Sequence, residues 1–202
     1  MFRTALRLQS RAGRRIHARR FAAVVGALLL VSAATIAAAG ARHQDSVVTV
    51  TQQRGLYHVT ATFTVAQAPE FALATLTDYP QIPRFMPEVL SSRILERNDN
   101  RMVVEQEAIA HFAMFSKRVH LVLEVEQQPD TIRFRDRSGK SFERYEGLWT
   151  VTEQDGGTHI TYELSAQPAF DVPGFMLKRL LKRDAVQMIE RLSAEIDARA
   201  AQ

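Results

Sequence analysis

The stretch Arg118-Val119-His120-Leu121-Val122-Leu123-Glu124-Val125-Glu126 decides the fold. Val119, Leu121, Leu123 and Val125 fall on one side of an extended chain. Arg118, His120, Glu124 and Glu126 fall on the other, with Val122 the exception. A period of two marks a strand with one covered face and one wet face. Turn residues around it, Asn98-Asp99-Asn100, Gln128-Pro129-Asp130, Ser138-Gly139-Lys140 and Asp155-Gly156-Gly157, divide the neighbourhood into strands. These run over about 89–96, 102–110, 118–127, 131–136, 144–152 and 158–166. Short connections of this kind join antiparallel neighbours.

Further out the pattern changes. Leu177, Leu181, Ala185, Met188, Leu192 and Ile196 recur at three- and four-residue steps, which predicts an amphipathic helix over 173–200. On the other side, 47–50 and 56–65 read as strands, with Arg54-Gly55 as the turn between them. Pro69 and Glu70 then open a helix whose apolar face carries Ala72, Leu73, Leu76 and Tyr79. Pro80, Pro83 and Pro87 break the segment that follows. The apolar face of the sheet and that of the last helix must meet.

This order of elements carries the stretches Leu76-Thr77-Asp78-Tyr79-Pro80, Arg84-Phe85-Met86-Pro87, Gly147-Leu148-Trp149 and Gly157-Thr158-His159-Ile160-Thr161-Tyr162. Over residues 47–200 the chain resembles the START-like (SRPBCC) superfamily, in its polyketide cyclase/dehydrase and coenzyme-Q-binding (COQ10-like) branch. The resemblance implies an α+β helix-grip fold. A curved antiparallel sheet of about 6–7 strands wraps around a long C-terminal helix, with two short helices after the first strand. It also implies a cavity between sheet and helix that holds a hydrophobic small molecule, such as a lipid, a quinone or a polyketide-like compound. Fold alone does not fix activity.

The N-terminal residues follow another logic. Residues 1–41 hold seven arginines and no acid, leaving 19 of the 26 basic residues against all 22 acidic ones in the remainder. The body is therefore slightly acidic, and no broad positive field exists to attract nucleic acid. Residues 1–20 read as a basic cytoplasmic head, and the uncharged run 21–41 as a signal-peptide h-region or a single membrane anchor. Ala39-Gly40-Ala41 favours cleavage near Ala41; the length of the run favours an anchor. On either reading the domain is exported to the periplasmic, extracytoplasmic side of the membrane.

Candidate site residues follow from face and type. Trp149, Tyr162 and Phe134 are cavity-wall candidates, with Ile132 beside them, since large apolar surfaces there line a pocket or pack a core. Leu121 and Leu123 share that covered face. Phe85 and Met86 in one loop, and Phe112, Met114 and Phe115 in a hairpin, suit a cavity mouth or a membrane contact. The acid/base candidates are Glu105, Glu107 and His111, which share one parity along a strand. The opposite parity, Met102, Val104, Ala108 and Ala110, is the more apolar and hence the inward one, with Gln106 as its polar guest.

No cysteine is present, the histidines have no metal-ligand spacing, and no phosphate loop or nucleophile elbow occurs. No cofactor is expected. Binding is favoured over a cyclase/dehydratase-type enzyme, and a membrane-tethered protein-interaction domain is the third reading.

Overall fold

The computed structural model of the protein describes residues 46–112 and 115–202. The basic head at 1–20 and the apolar run at 21–41 lie outside the described residues. Among the described residues no helix is long and apolar enough to cross a membrane.

Eight strands form one antiparallel sheet: β1 (Val47–Gln53), β2 (Leu56–Val65), β3 (Val89–Asn98), β4 (Arg101–His111), β5 (Ser116–Gln127), β6 (Thr131–Asp136), β7 (Phe142–Gln154) and β8 (Gly157–Pro168). Their order across the sheet is β1-β2-β8-β7-β6-β5-β4-β3. β3 to β8 are a plain meander, as the short turns require. The N-terminal hairpin then joins by pairing β2 with β8, with Val59 opposite Leu164 and Phe63 opposite Ile160. The expected six or seven strands become eight because both arms of that hairpin enter the sheet. The short helices therefore follow the second strand rather than the first.

These are α1 (Pro69–Leu76), a 3₁₀ turn (Tyr79–Gln81) and α2 (Ile82–Phe85). Pro69 at the first position and Glu70 in the first turn start α1. The segment carries the chain from β2 to the opposite edge, where β3 begins. β3 is irregular: its register against β4 skips Leu90 and Leu95.

The long helix α3 (Gly174–Ala200) lies against this assembly. Its buried residues include Leu177, Leu180, Ala185, Ile189, Leu192 and Ile196. The buried stripe is rotated from the expected one: Leu180 and Ile189 are buried, whereas Leu181 and Met188 are half-buried. A helix between a sheet and short helices has more than one covered side, so a single 3.6-residue stripe underdescribes it. The inward face of β2 supplies Tyr57, Val59, Ala61, Phe63 and Val65, all buried. Phe63, 1% exposed, contributes about 1.5–3 kcal/mol by that burial. The curved antiparallel sheet with its long C-terminal helix is a helix-grip, START-like fold.

Candidate functional site

The core does not fill the space between sheet and helix. A cavity of about 280 Å³ lies there, just below the roughly 300–1,000 Å³ typical of ligand pockets. Its floor is the inward face of five strands: Gln106 of β4, Leu123 and Val125 of β5, Ile132 and Phe134 of β6, Tyr145 and Trp149 of β7, and Tyr162 of β8. Strand alternation puts them there. Leu123 and Val125 have the parity of Val119 and Leu121, and Tyr145, Gly147, Trp149 and Val151 share one side of β7. One wall comes from α1, the 3₁₀ turn and α2, through Leu76, Tyr79, Ile82, Phe85 and Met86. The opposite wall is α3, through Asp184, Gln187, Met188, Arg191 and Leu192.

The aromatic floor is continuous. Trp149 and Tyr162 have ring centroids 4.3 Å apart. Tyr162 lies 6.3 Å from Phe134, which lies 6.0 Å from Tyr145. These spacings suit offset or tilted aromatic pairs. Burial raises the Tyr145 and Tyr162 hydroxyls above their ordinary value, and Tyr162 well above it, so both stay protonated and available for hydrogen bonding. Gly147 makes room for this floor. A Cβ there would lie 2.9 Å from Phe134 Cε1, and closer still to Phe134 Cζ and the Glu163 carbonyl oxygen.

Polar groups gather where α3 meets the start of β3. Arg191 forms an ion pair with Glu88. The hydrogen bond from Arg191 holds the Glu88 carboxyl below its ordinary value, with burial opposing. Burial raises the Asp184 carboxyl, and the hydrogen bond from Arg183 only partly offsets it. Arg183 donates to Asp184 Oδ1 at 2.8 Å and to the His111 carbonyl oxygen at 3.1 Å, which ties α3 to the end of β4. The far end of α3 is fastened too: Arg199 donates to Asp78 Oδ2 at 2.9 Å and to Glu195 Oε1 at 2.7 Å.

The sequence candidates divide accordingly. Trp149, Tyr162, Phe134, Leu123, Ile132, Phe85 and Met86 line the cavity. Leu121 is buried on the same sheet face but lies beyond the lining. Phe112 is buried and stacks on Phe115 at 4.6 Å, while Phe115 is 48% exposed; neither lines the cavity. Met114 is outside the described residues. Glu105 and Glu107 lie on the outer sheet face, opposite Val122 and His120 in register. There Glu107 bonds His120 Nδ1, and Arg93 pairs with Glu105. His111, exposed, bonds Ser116 at 2.9 Å, so the three acid/base candidates do not converge in the cavity. Gln106 does face inward, with Nε2 donating to Ser92 Oγ at 3.2 Å.

Glu88, Asp184 and Arg191 escape a reading based on apolar periodicity. A signal did exist: Asp184 is three residues after Leu181 and four before Met188, inside the apolar stripe, and Arg191 is seven further on. Among the described residues no cluster of His, Cys, Asp or Glu is arranged to hold a metal ion.

Several solved structures share this architecture. A Thermus thermophilus protein superposes with a TM-score of 0.60 and 22% identity, over 70% of this chain and 97% of its own. The aromatase/cyclase Zhui from a Streptomyces species gives 0.62 and 18%, over 72% and 96%. A STAR-related lipid transfer protein from Xanthomonas axonopodis gives 0.57 and 16%, over 74% and 98%. At these identities the likeness is one of fold. No curated protein matches the chain. The sequence model for polyketide cyclase/dehydrase and lipid transport proteins matches residues 65–193, from the end of β2 to the last turns of α3. That match spans β3 to β8, both cavity walls and most of the helix, and the chain therefore belongs to the polyketide cyclase/dehydrase and lipid transport family.

Proposed function

We propose that the domain binds an apolar small molecule, such as a lipid or a quinone, in the cavity between sheet and α3. It carries or presents that molecule outside the cytoplasmic membrane. The observation that carries this reading is the cavity: a folded core normally closes such a space, and one lined by Trp149, Phe134, Leu123 and Met188 is kept open for a guest. Lipid transport in the family description and the name of the Xanthomonas relative support the substrate class. The basic head and the uncharged run at 21–41 support the location.

Trp149 is the single tryptophan of the chain and lies on the cavity wall, so its fluorescence reports occupancy directly. Titration with a short-chain quinone is expected to quench it saturably, and with a fatty acid to shift its emission. Mass spectrometry of protein from its native membrane fraction then reports the bound molecule and any cleavage near Ala41. An emission spectrum indifferent to every apolar probe, with no molecule recovered, would refute the binding reading.

A cyclase/dehydratase is the second reading, favoured by one observation: Glu88, Asp184 and Arg191 border the cavity. An acid of raised pKa beside an apolar pocket suits general acid catalysis. The two readings separate on Asp184→Asn. A carrier keeps its Trp149 titration and has no turnover to lose; an enzyme keeps the titration and loses turnover of a polyketide-like substrate.

A further inference from the structure

We propose that the end of the domain formed by the first turns of α3 and the β4–β5 hairpin is a docking face for an anionic lipid bilayer. This goes beyond ligand binding and does not depend on it. Phe175 is 77% exposed, the most exposed large apolar side chain among the described residues. Lys178, Arg179 and Lys182 follow at i+3, i+4 and i+7, so all four share one helix face, and all are exposed. Two contacts bring the hairpin to the same end: Arg183 donates to the His111 carbonyl, and Lys117 Nζ lies 5.3 Å over the Phe170 ring. Exposed Phe115 precedes Lys117 by two residues.

The helix itself is not helped by its three cations. Three cations in the opening turns of a helix oppose its dipole. The first turn has no acid, and no side chain caps it. Lys117, Lys178, Arg179 and Lys182 form no ion pair among the described residues. Cations interleaved with exposed phenylalanines suit the boundary of an anionic membrane, where rings enter the acyl edge and charges meet headgroups. The exposed face of α3 then turns acidic at Glu190 and Asp197, so the molecule meets the bilayer end-on. The local acids are Asp184, paired with Arg183, and exposed Asp171.

The absence of cysteine allows a single probe. Full-length Phe175→Cys carrying an NBD fluorophore is mixed with phosphatidylcholine vesicles, with or without phosphatidylglycerol. A blue shift, quenched by lipid-borne quenchers, is expected with phosphatidylglycerol and not with phosphatidylcholine alone. The same label in Phe115→Cys should follow it, and in Asp197→Cys should stay aqueous. Reversing Lys178, Arg179 and Lys182 to Glu should weaken the response about a hundredfold, or about fivefold per charge, from lost attraction alone. That variant relieves the dipole conflict, and an unchanged thermal melt by circular dichroism separates lost docking from unfolding.

A Phe175 label that stays aqueous while the chain sediments with vesicles would show binding through other residues and overturn the proposal. So would an equal shift on neutral vesicles. A shift without vesicles that grows with protein concentration would mark contact between copies and would overturn it as well.

Discussion

Replacing Gly147 by Ala adds one methyl group to the middle of β7, and the surroundings define where it must go. Gly147 lies opposite Phe134 on one side and Leu164 on the other. The new carbon would sit 2.9 Å from Phe134 Cε1 and closer to both Phe134 Cζ and the Glu163 carbonyl oxygen. The ring can tilt away. The carbonyl belongs to the β8 ladder and can retreat only by straining strand pairing. Overpacking of this kind costs about 1–3 kcal/mol. For a domain of this size that lowers the unfolding midpoint by about 2–12 °C. A ring displaced towards Tyr145 and Tyr162 enters the cavity, so affinity is expected to fall together with stability. Thermal unfolding by circular dichroism measures the first effect, and Trp149 titration the second. Adding Phe134→Leu should return the ring's share and leave the carbonyl's, a coupling of about 0.5–3 kcal/mol. A Gly147→Ala protein with an unchanged midpoint and an unchanged titration would refute the account of how the aromatic floor is seated.

Two further outcomes test the polar groups. Glu88 and Asp184 should give opposite pH dependences. The folded-state value of Glu88 is depressed by Arg191, so its stabilisation is full above its ordinary 4.5 and is lost as pH falls through the depressed value. Asp184 is raised by burial, so stability grows as pH falls from the raised value towards its ordinary 3.8. In urea melts across that range Glu88→Gln removes the falling contribution and Asp184→Asn the rising one; the same slope in both variants would contradict the assignment. Glu105→Gln and Glu107→Gln, on the outer sheet face, should leave Trp149 titration unchanged, and a change in affinity would place those carboxylates in communication with the cavity.

The strands were legible because their residues alternate. Leu121, Leu123 and Val125 declare their side of the sheet, and Glu105 and Glu107 fall on the other because the opposite parity of their strand, Met102, Val104, Ala108 and Ala110, is the more apolar. Alternation put Tyr162 on the covered side, and the family resemblance supplied the cavity that Tyr162 and Trp149 line; Tyr145 was not anticipated. What alternation cannot encode is the position of the void, since Leu121 and Leu123 share a strand face yet only Leu123 reaches the cavity. The polar border was hidden for a related reason. Glu88 and Arg191 are 103 residues apart in sequence and meet only when β3 and α3 are placed. Phe112 and Phe115 illustrate the limit in a hairpin: three residues apart and chemically identical, one is buried and the other exposed.

The skipped residues of β3 bear on how the molecule coexists with its own copies. Among the described residues β3 is an edge of the sheet, and a straight edge would offer its unused amides and carbonyls to a neighbouring chain. Leu90 and Leu95, 47% and 45% exposed, are the two residues dropped from the pairing register. Each interruption bends the strand, and Arg93 and Arg97 add charge between and beyond them. An open sheet of eight strands thereby ends in a border too crooked to be extended, and crowding in solution need not lead to fibres.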